Sequence, residues 1–278
     1  MKRLPKTDWR REGGPFDMIG DVHGCAEELV ALLNRLGYGV HLEGSGEGRR
    51  AETKAPKGRR AVFVGDLVDR GPNAPDVVRI AIAMAERRQA FAVIGNHDDR
   101  FLRWLKGHEV KPTHGLERTV AQFAGESEAF RKEARAFLQG LPSYLWLEDG
   151  RLVVAHAGLK ERMLGRNTAE VRRFCIYGDI SGKLDAEGLP ERFNWAIDYR
   201  GEPTVVYGHT PVPEPAWQGN SVCIDTGCVF GNRLSALRWP ENEIVAVPAR
   251  ATYADLRRPL GLPPPRPNVP SLRKRGEG

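Results

Sequence analysis

Sulfur is scarce in this chain. Four cysteines stand at positions 25, 175, 223 and 228, with no Cys-x-x-Cys pair and no dense spacing. That excludes a disulfide framework and leaves reduced, buried thiols as the expectation. Cys25 adjoins an Asp-x-His cluster, so a redox-sensitive thiol is the sharper alternative there. No apolar run approaches the length of a membrane span, and the charged N-terminal stretch has no signal-peptide core. A soluble, cytoplasmic protein that uses no membrane is therefore expected. Three motifs are also missing: Gly-Lys-Ser/Thr of a phosphate loop, Gly-x-Gly-x-x-Gly of a dinucleotide fold, and Gly-x-Ser-x-Gly of a serine hydrolase. No internal repeat is present.

What is there is ordinary in bulk. Of 278 residues, 41% are hydrophobic and 28% charged, enough for a substantial core. The formal charge is +6 and the isoelectric point near 9.2. That balance favours polyanions such as nucleotides, phosphoproteins or nucleic acid, and suits a merely soluble surface equally well.

The informative stretch is Val64 to Pro72, Val-Gly-Asp-Leu-Val-Asp-Arg-Gly-Pro. Ala61 to Val64 reads as a buried strand, and Gly65 and Gly71-Pro72 bracket a turn. Asp66, Asp69 and Arg70 thus sit at a strand's carboxyl end, where unpaired charge is costly unless it is used. The pattern recurs. Asp17 to Gly20 leads into Asp21-Val22-His23-Gly24, and Phe91 to Ile94 into Gly95-Asn96-His97-Asp98. Leu152 to Ala155 leads into His156-Ala157-Gly158, and Val205 to Tyr207 into Gly208-His209-Thr210-Pro211. Ligands at the carboxyl ends of successive strands converge on one rim of an α/β sheet.

Between these clusters the elements are coarse but legible. Residues 1–14 read as a loose arm and 43–60 as a solvated hairpin or insertion, with a basic flap facing substrate as the alternative. Helical periods run over Ala26 to Leu36 and Asn73 to Arg88, and further helical stretches over Phe101 to Leu105 and Leu116 to Leu138. His108 and His114 fall in a loop as surface residues. The order strand, helix, strand around Asn73 to Arg88 predicts a parallel βαβ unit. Ala169 to Cys175 is a short helix and 178–203 mostly loop. Val205–Tyr207, Val222–Asp225, Arg233–Arg238 and Glu243–Val247 predict short strands of a second, mixed or antiparallel sheet. Residues 15–257 form one domain of two facing sheets with helices outside, and 258–278 a proline- and arginine-rich tail.

The clustered side chains suggest metal chemistry. Asp21, His23, Asp66, Asn96, His156 and His209 offer oxygen and nitrogen donors without thiolate, which suits Mn²⁺, Fe, Co²⁺, Zn²⁺ or Mg²⁺ rather than Ca²⁺ or a structural zinc. The set exceeds the needs of one ion. Two ions about 3.5–4 Å apart, sharing Asp66 and a hydroxide that attacks phosphorus in line, is the economical arrangement. Mn²⁺ is the leading expectation. His97 would protonate the leaving oxygen, Asp69 would orient His97, and Arg70 would clamp phosphate oxygens. Arg200 and Asp225 are further charged residues beside strand ends and candidates for binding substrate. Asp98 reads as a cap for the following helix.

These residues resemble the calcineurin-like metallophosphoesterases, in their phosphoprotein phosphatase branch. The shared motifs are GDVHG (20–24), GDLVDRG (65–71), GNHD (95–98), AHAG (155–158) and GHTP (208–211). Within the branch the chain is most similar to PrpE-type bis(5′-nucleosyl)-tetraphosphatases, through 105–119, 175–182, 205–212 and 224–241. The phosphatase module of polynucleotide kinase-phosphatases is similar over 175–241. The resemblance implies a four-layer αββα fold of two mixed sheets flanked by helices, the same ligand set, the His97–Asp69 pair and the Arg70 clamp. It also lends weight to Asp225. One departure is Asp98, where protein phosphatases commonly carry Glu.

The expected substrate is a dinucleoside polyphosphate of the diadenosine tetraphosphate type. Alternatives with the same site are a Ser/Thr/Tyr phosphoprotein and a polynucleotide end; no stable nucleic-acid partner is expected. The residues do not tell symmetric from asymmetric cleavage.

Overall fold

Strand periodicity sets the layers. In the first strand Phe16 and Met18 face one apolar cluster and Ile19 faces another. The same alternation sends Val62 one way and Ala61 and Phe63 the other. Further along, Leu152, Val154 and Val206 share the cluster of Phe16, while Val153, Ala155, Val205 and Tyr207 enter a third. The result is a computed structural model in which three apolar layers separate four layers of secondary structure; it describes residues 4–267.

In chain order the elements are β1 (Phe16–Ile19), α1 (Ala26–Arg35), β2 (Gly39–Glu43), β3 (Arg50–Lys54), β4 (Arg60–Phe63), α2 (Ala74–Glu86) and β5 (Ala90–Ala92). Then come α3 (Asn96–Leu105), α4 (Leu116–Ala124), α5 (Glu128–Gly140), β6 (Tyr144–Leu147), β7 (Leu152–Ala155) and α6 (Ala169–Tyr177). The remainder is β8 (Asp179–Leu184), β9 (Pro190–Phe193), β10 (Thr204–Tyr207), β11 (Ala216–Gln218), β12 (Ser221–Cys223), β13 (Arg233–Trp239) and β14 (Glu243–Pro248).

One five-stranded sheet has the order β14-β13-β1-β4-β5 and the other β11-β12-β10-β7-β6. Their facing sides bury Met18, Val62, Val154, Val206 and Leu237. Helices α1 to α5 cover the outer face of the first sheet and α6 that of the second. This is the expected αββα arrangement, and the βαβ unit is parallel, with Ala61 opposite Ala90.

Local chemistry explains most boundaries. Asn73 starts α2 by accepting the N–H of Asp76, and Pro75 stands in the first turn. The helical stretch expected from Leu116 to Leu138 divides, because Gly125 ends α4 and the Ser127 hydroxyl accepts the N–H of Phe130 to start α5. The expected insertion at 43–60 holds the hairpin β2–β3, and the stretch 178–203, read as mostly loop, holds the hairpin β8–β9.

The last third does not make a sheet of its own. β13 pairs antiparallel with β1, Phe16 opposite Trp239, and so belongs to the first sheet, whereas β10 and β12 lie in the second. A strand's sequence shows its alternation but not its neighbour.

The N-terminal arm is held along residues 7–12. The N–H of Trp146 donates to Thr7 O (3.0 Å), the N–H of Trp9 to Trp146 O (2.9 Å), and the Trp9 ring packs on Phe91. Of the tail, 258–267 run along the surface, where the N–H of Asn194 donates to Pro264 O (2.8 Å); 268–278 lie outside the described residues. No described helix is long and apolar enough to cross a membrane.

Candidate active site

Parallel pairing aligns the carboxyl ends of strands. β1, β4 and β5 are parallel in one sheet, and β7, β10 and β12 in the other. Asp21 and His23 follow β1, Asp66 follows β4, and Asn96 and His97 follow β5. His156, His209 and Asp225 follow β7, β10 and β12. Two sheets packed face to face bring all these ends to a common rim, the floor of a cleft of about 1420 Å³.

The geometry there is crowded with acceptors. His156 Nδ1 faces Val64 O at 3.1 Å and donates to it, which aims Nε2 into the site. That Nε2 lies 3.0 Å from Asn96 Oδ1, 3.0 Å from His209 Nδ1 and 3.3 Å from Asp66 Oδ2. His23 Nδ1 likewise donates to Val68 O (2.9 Å), and its Nε2 stands 3.5 Å from Asp66 Oδ2. Oxygen and nitrogen donor atoms drawn this close from separate loops are an arrangement that a cation between them would turn into ligation.

Two donor clusters result, His23 with Asp66 and His97, and Asp66 with His156 and His209. Asp66 is common to both. Buried Asp21 Oδ1 and His209 Nε2 have no hydrogen-bond partner among the described residues, a further sign of a donor set built for ions. Asp21 is tied in by its Oδ2, which accepts the N–H of His209 (3.0 Å). The residues present therefore fit a pair of divalent cations.

The backbone is bent to make this possible. His23, Asp66, Asp69, Arg70 and His209 all adopt left-handed φ values between 46° and 74°, each costing roughly 1–2 kcal/mol. Strain of this kind gathers where packing overrides it for a purpose. Close approach also demands glycine: a Cβ on Gly208 would stand 1.9 Å from Asp21 Oδ1, and one on Gly95 2.1 Å from Asp66 Oδ1.

Charge is tuned by burial. Burial raises Asp21, and the neighbouring carboxylates of Asp225 and Asp66 add to it. Burial would raise Asp66 too, but His156 and His97 outweigh it and hold the carboxyl well below its usual range. Asp69 is pushed up to about 7, chiefly by burial. His97 is held well below its ordinary value by burial and by Arg70. His97 Nδ1 meets Asp69 Oδ2 at 2.7 Å, a contact that fixes the ring and turns Nε2 toward the cleft. Arg70 reaches both rings, Nη1 to His23 Nε2 (2.7 Å) and Nη2 to His97 Nε2 (2.8 Å).

Asp98 is fully buried. It accepts the N–H groups of Gly95 (3.0 Å) and Leu67 (2.9 Å), capping α3 and joining it to the Asp66 loop. Asp225 lines the cleft, buried and raised to about 6 by burial. Arg200 does not come to the rim. It precedes β10, at the amino end of a strand whose carboxyl end carries His209, and its exposed side chain donates to Ile197 O (2.7 Å) and Tyr199 O (2.8 Å).

A cation that sequence reasoning missed takes its place. Arg192, on β9, lines the cleft, donates to His209 O (3.4 Å) and keeps a buried Nε without a partner. Burial, then Arg258 and Arg70, lower it to about 10. Its strand, Pro190–Phe193, does not alternate and lies inside a stretch read as loop, so no periodic signal pointed to it.

Comparison with known proteins agrees with this geometry. The pattern of the family described as calcineurin-like phosphoesterase matches residues 14–240. A curated relative, bis(5′-nucleosyl)-tetraphosphatase PrpE [asymmetrical] of Anoxybacillus flavithermus, is 42% identical over 256 residues, covering 88% of this chain and 99% of the relative. The crystal structure of a candidate diadenosine tetraphosphatase superposes with a TM-score of 0.62 at 26% identity, covering 89% of this chain and 99% of that one. A protein serine/threonine phosphatase from Saccharomyces cerevisiae, at 12% identity and a TM-score of 0.56 over 89% of this chain and 84% of that one, shares the fold alone. With the family pattern matched over residues 14–240 and a relative 42% identical over most of its length, the chain belongs to the calcineurin-like phosphoesterases.

Proposed function

We propose that this chain is a bis(5′-nucleosyl)-tetraphosphatase, hydrolysing diadenosine tetraphosphate-type substrates asymmetrically to a nucleoside monophosphate and a nucleoside triphosphate. One observation carries the reading: Asp66 belongs to both donor clusters and lies at the floor of a cleft of about 1420 Å³, far more than a phosphate group fills. The relatives that match over most of the chain bear that name and its asymmetrical qualifier, which supports the substrate class.

Asp21, His23, Asp66, Asn96, His156 and His209 would hold two divalent cations, and a donor set of oxygen and nitrogen supports Mn²⁺. Bound there, the cations supply a hydroxide nucleophile at neutral pH and offset charge on the phosphate. Arg70 and Arg192 approach from the open side as guanidinium donors for non-bridging phosphate oxygens, where charge builds in the transition state. His97 Nε2 faces the same space and delivers a proton to the departing oxygen as the P–O bond breaks. Asp69 holds His97 Nδ1–H, which fixes the ring and stabilises the imidazolium. Four unpaired buried cysteines support a cytoplasmic location.

The test is product chromatography after incubation of the Mn²⁺-loaded protein with diadenosine tetraphosphate, a phosphopeptide and a 3′-phosphorylated oligonucleotide. AMP plus ATP, formed faster than phosphate is released from the other two, is expected. Two ADP would contradict the asymmetrical cut, and preference for either other substrate would contradict the assignment.

A further inference from the structure

The cleft has a wall that hydrolysis as described leaves unused. After β14 the chain turns back across the mouth of the site, and residues 249–267 lead from the first sheet to the second. At one end Glu28, 1% exposed, accepts the N–H of Arg250 (2.9 Å) and the hydroxyl of Tyr253 (2.8 Å). At the other, the N–H of Gly261 donates to Pro211 O (2.8 Å), and Pro264 O accepts from the N–H of Asn194 (2.8 Å). Between these fastenings Leu256, 41% exposed, and Arg257 line the cleft.

Arg257 is exposed and has no hydrogen-bond or ion-pair partner among the described residues. Its charge is felt along the cleft wall: His114, which also lines the cleft, is lowered first by burial and further by Arg100, Arg257 and Arg70. Arg257 and Leu256 line the same cleft as Arg70, so a guanidinium free to meet phosphate and an apolar surface stand together on one wall of the site.

We propose that this segment, which lies beyond the residues 14–240 matched by the family, is the seat of the departing nucleotide, the part of the substrate past the scissile phosphate. The proposal rests on the dinucleoside polyphosphate reading above. A nucleotide leaving group brings several phosphate charges and a flat base. Arg257 supplies a fork for a distal phosphate, and Leu256 an apolar face for the base. Pro259, Pro263 and Pro264 restrict the backbone on the same stretch, so little ordering remains to oppose binding. A small ester such as p-nitrophenyl phosphate occupies the floor and does not extend to this wall.

The experiment compares kcat/KM on diadenosine tetraphosphate with kcat/KM on p-nitrophenyl phosphate, in the full-length Mn²⁺-loaded protein, for wild type, Leu256→Ala, Arg257→Ala, Arg257→Glu and Arg257→Lys. Both residues are exposed, so folding is not at stake. Tyr253 is left in place because its hydroxyl donates to buried Glu28 (2.8 Å) and fastens the segment. The ratio of dinucleotide to small ester is expected to fall about tenfold in Arg257→Ala, mainly through KM, and further in Arg257→Glu. Arg257→Lys should recover most of it. A ratio within twofold of wild type in both Arg257→Ala and Arg257→Glu, whether or not both rates drop together, overturns the proposal. A wild-type protein that turns over p-nitrophenyl phosphate but no dinucleotide overturns the functional reading, and the seat with it.

Discussion

His97 Nδ1 lies 2.7 Å from Asp69 Oδ2, and the other oxygen of that buried carboxylate has no partner among the described residues. The aspartate is therefore dedicated to one imidazole. Burial and Arg70 work against a proton on His97 and Asp66 works for one; an acceptor on Nδ1 favours the charged ring as well.

That pairing sets the response to leaving-group chemistry. His97→Ala is expected to cut hydrolysis of alkyl phosphates by ~10²–10⁴-fold, the usual worth of a positioned acid. p-Nitrophenyl phosphate, whose leaving oxygen needs little protonation, should lose much less. Initial rates on both esters at saturating Mn²⁺ decide it: equal losses would remove His97 from the acid role.

The pH profile follows from the same two residues. The acid must hold a proton, so activity falls as pH rises through the apparent pKa of the His97–Asp69 pair. Asp69→Asn removes the carboxylate acceptor on Nδ1 and lowers that pKa, because Asp66 alone is then left to offset burial and the Arg70 charge. The alkaline limb of kcat/KM on an alkyl phosphate should move to lower pH. A limb that stays in place or moves upward would show that the pair does not titrate in that limb.

Gly208 offers a test of close approach. Alanine there would set a Cβ 1.9 Å from Asp21 Oδ1 and push the carboxylate away from the rim. Gly208→Ala is expected to weaken Mn²⁺ binding by roughly 10–100-fold, as loss of a ligand's supporting contacts does. Calorimetric titration of Mn²⁺ measures it, and an unchanged affinity would exclude Asp21 from the donor set.

Stability has its own carboxylate. Asp76, 2% exposed, pairs with Arg49 (2.6 Å) and Arg79 (3.3 Å) and accepts from the Asn73 amide (2.8 Å). Burial works against its charge, but Arg49 and these neighbours outweigh it and bring the pKa below 3.8. A carboxylate lowered on folding contributes stability above its unfolded pKa and loses it as pH falls through the folded one. Asp76→Asn should therefore cost about 1–3 kcal/mol at pH 7, with a smaller difference below pH 3.8. Chemical denaturation of both proteins at the two pH values tests the sign; a penalty that grows on acidification would contradict it.

The rim was legible because its side chains are short and lie within four residues of the ends of recognisable strands. Asp21, His23, Asp66, Asn96, His156, His209 and Asp225 needed only the rule that parallel strands align their carboxyl ends. Arg200 shows the limit of that rule, since adjacency to a strand does not say which end. Arg192 shows another: it projects from a hairpin of barely alternating, exposed residues, which carries no periodic signal to distinguish it from loop. Partners of strands were equally hidden. β13 reads as a strand from Arg233–Arg238, but its place beside β1 depends on which edge is free after β4 and β5 have paired, and that is a property of the assembled sheet. The stretch from Leu116 to Leu138 kept its helical period across Gly125–Ser127, so only capping chemistry marked the break.

The central claim is that six residues from five separate loops hold two cations around Asp66. It is tested most directly by turnover of diadenosine tetraphosphate in chelator-stripped protein as Mn²⁺ is restored, with metal content followed in the same samples. Activity should vanish on stripping and return in step with binding of two Mn²⁺ per chain, and Asp66→Asn should recover neither. Undiminished turnover in metal-free protein, or full activity in Asp66→Asn, would contradict it.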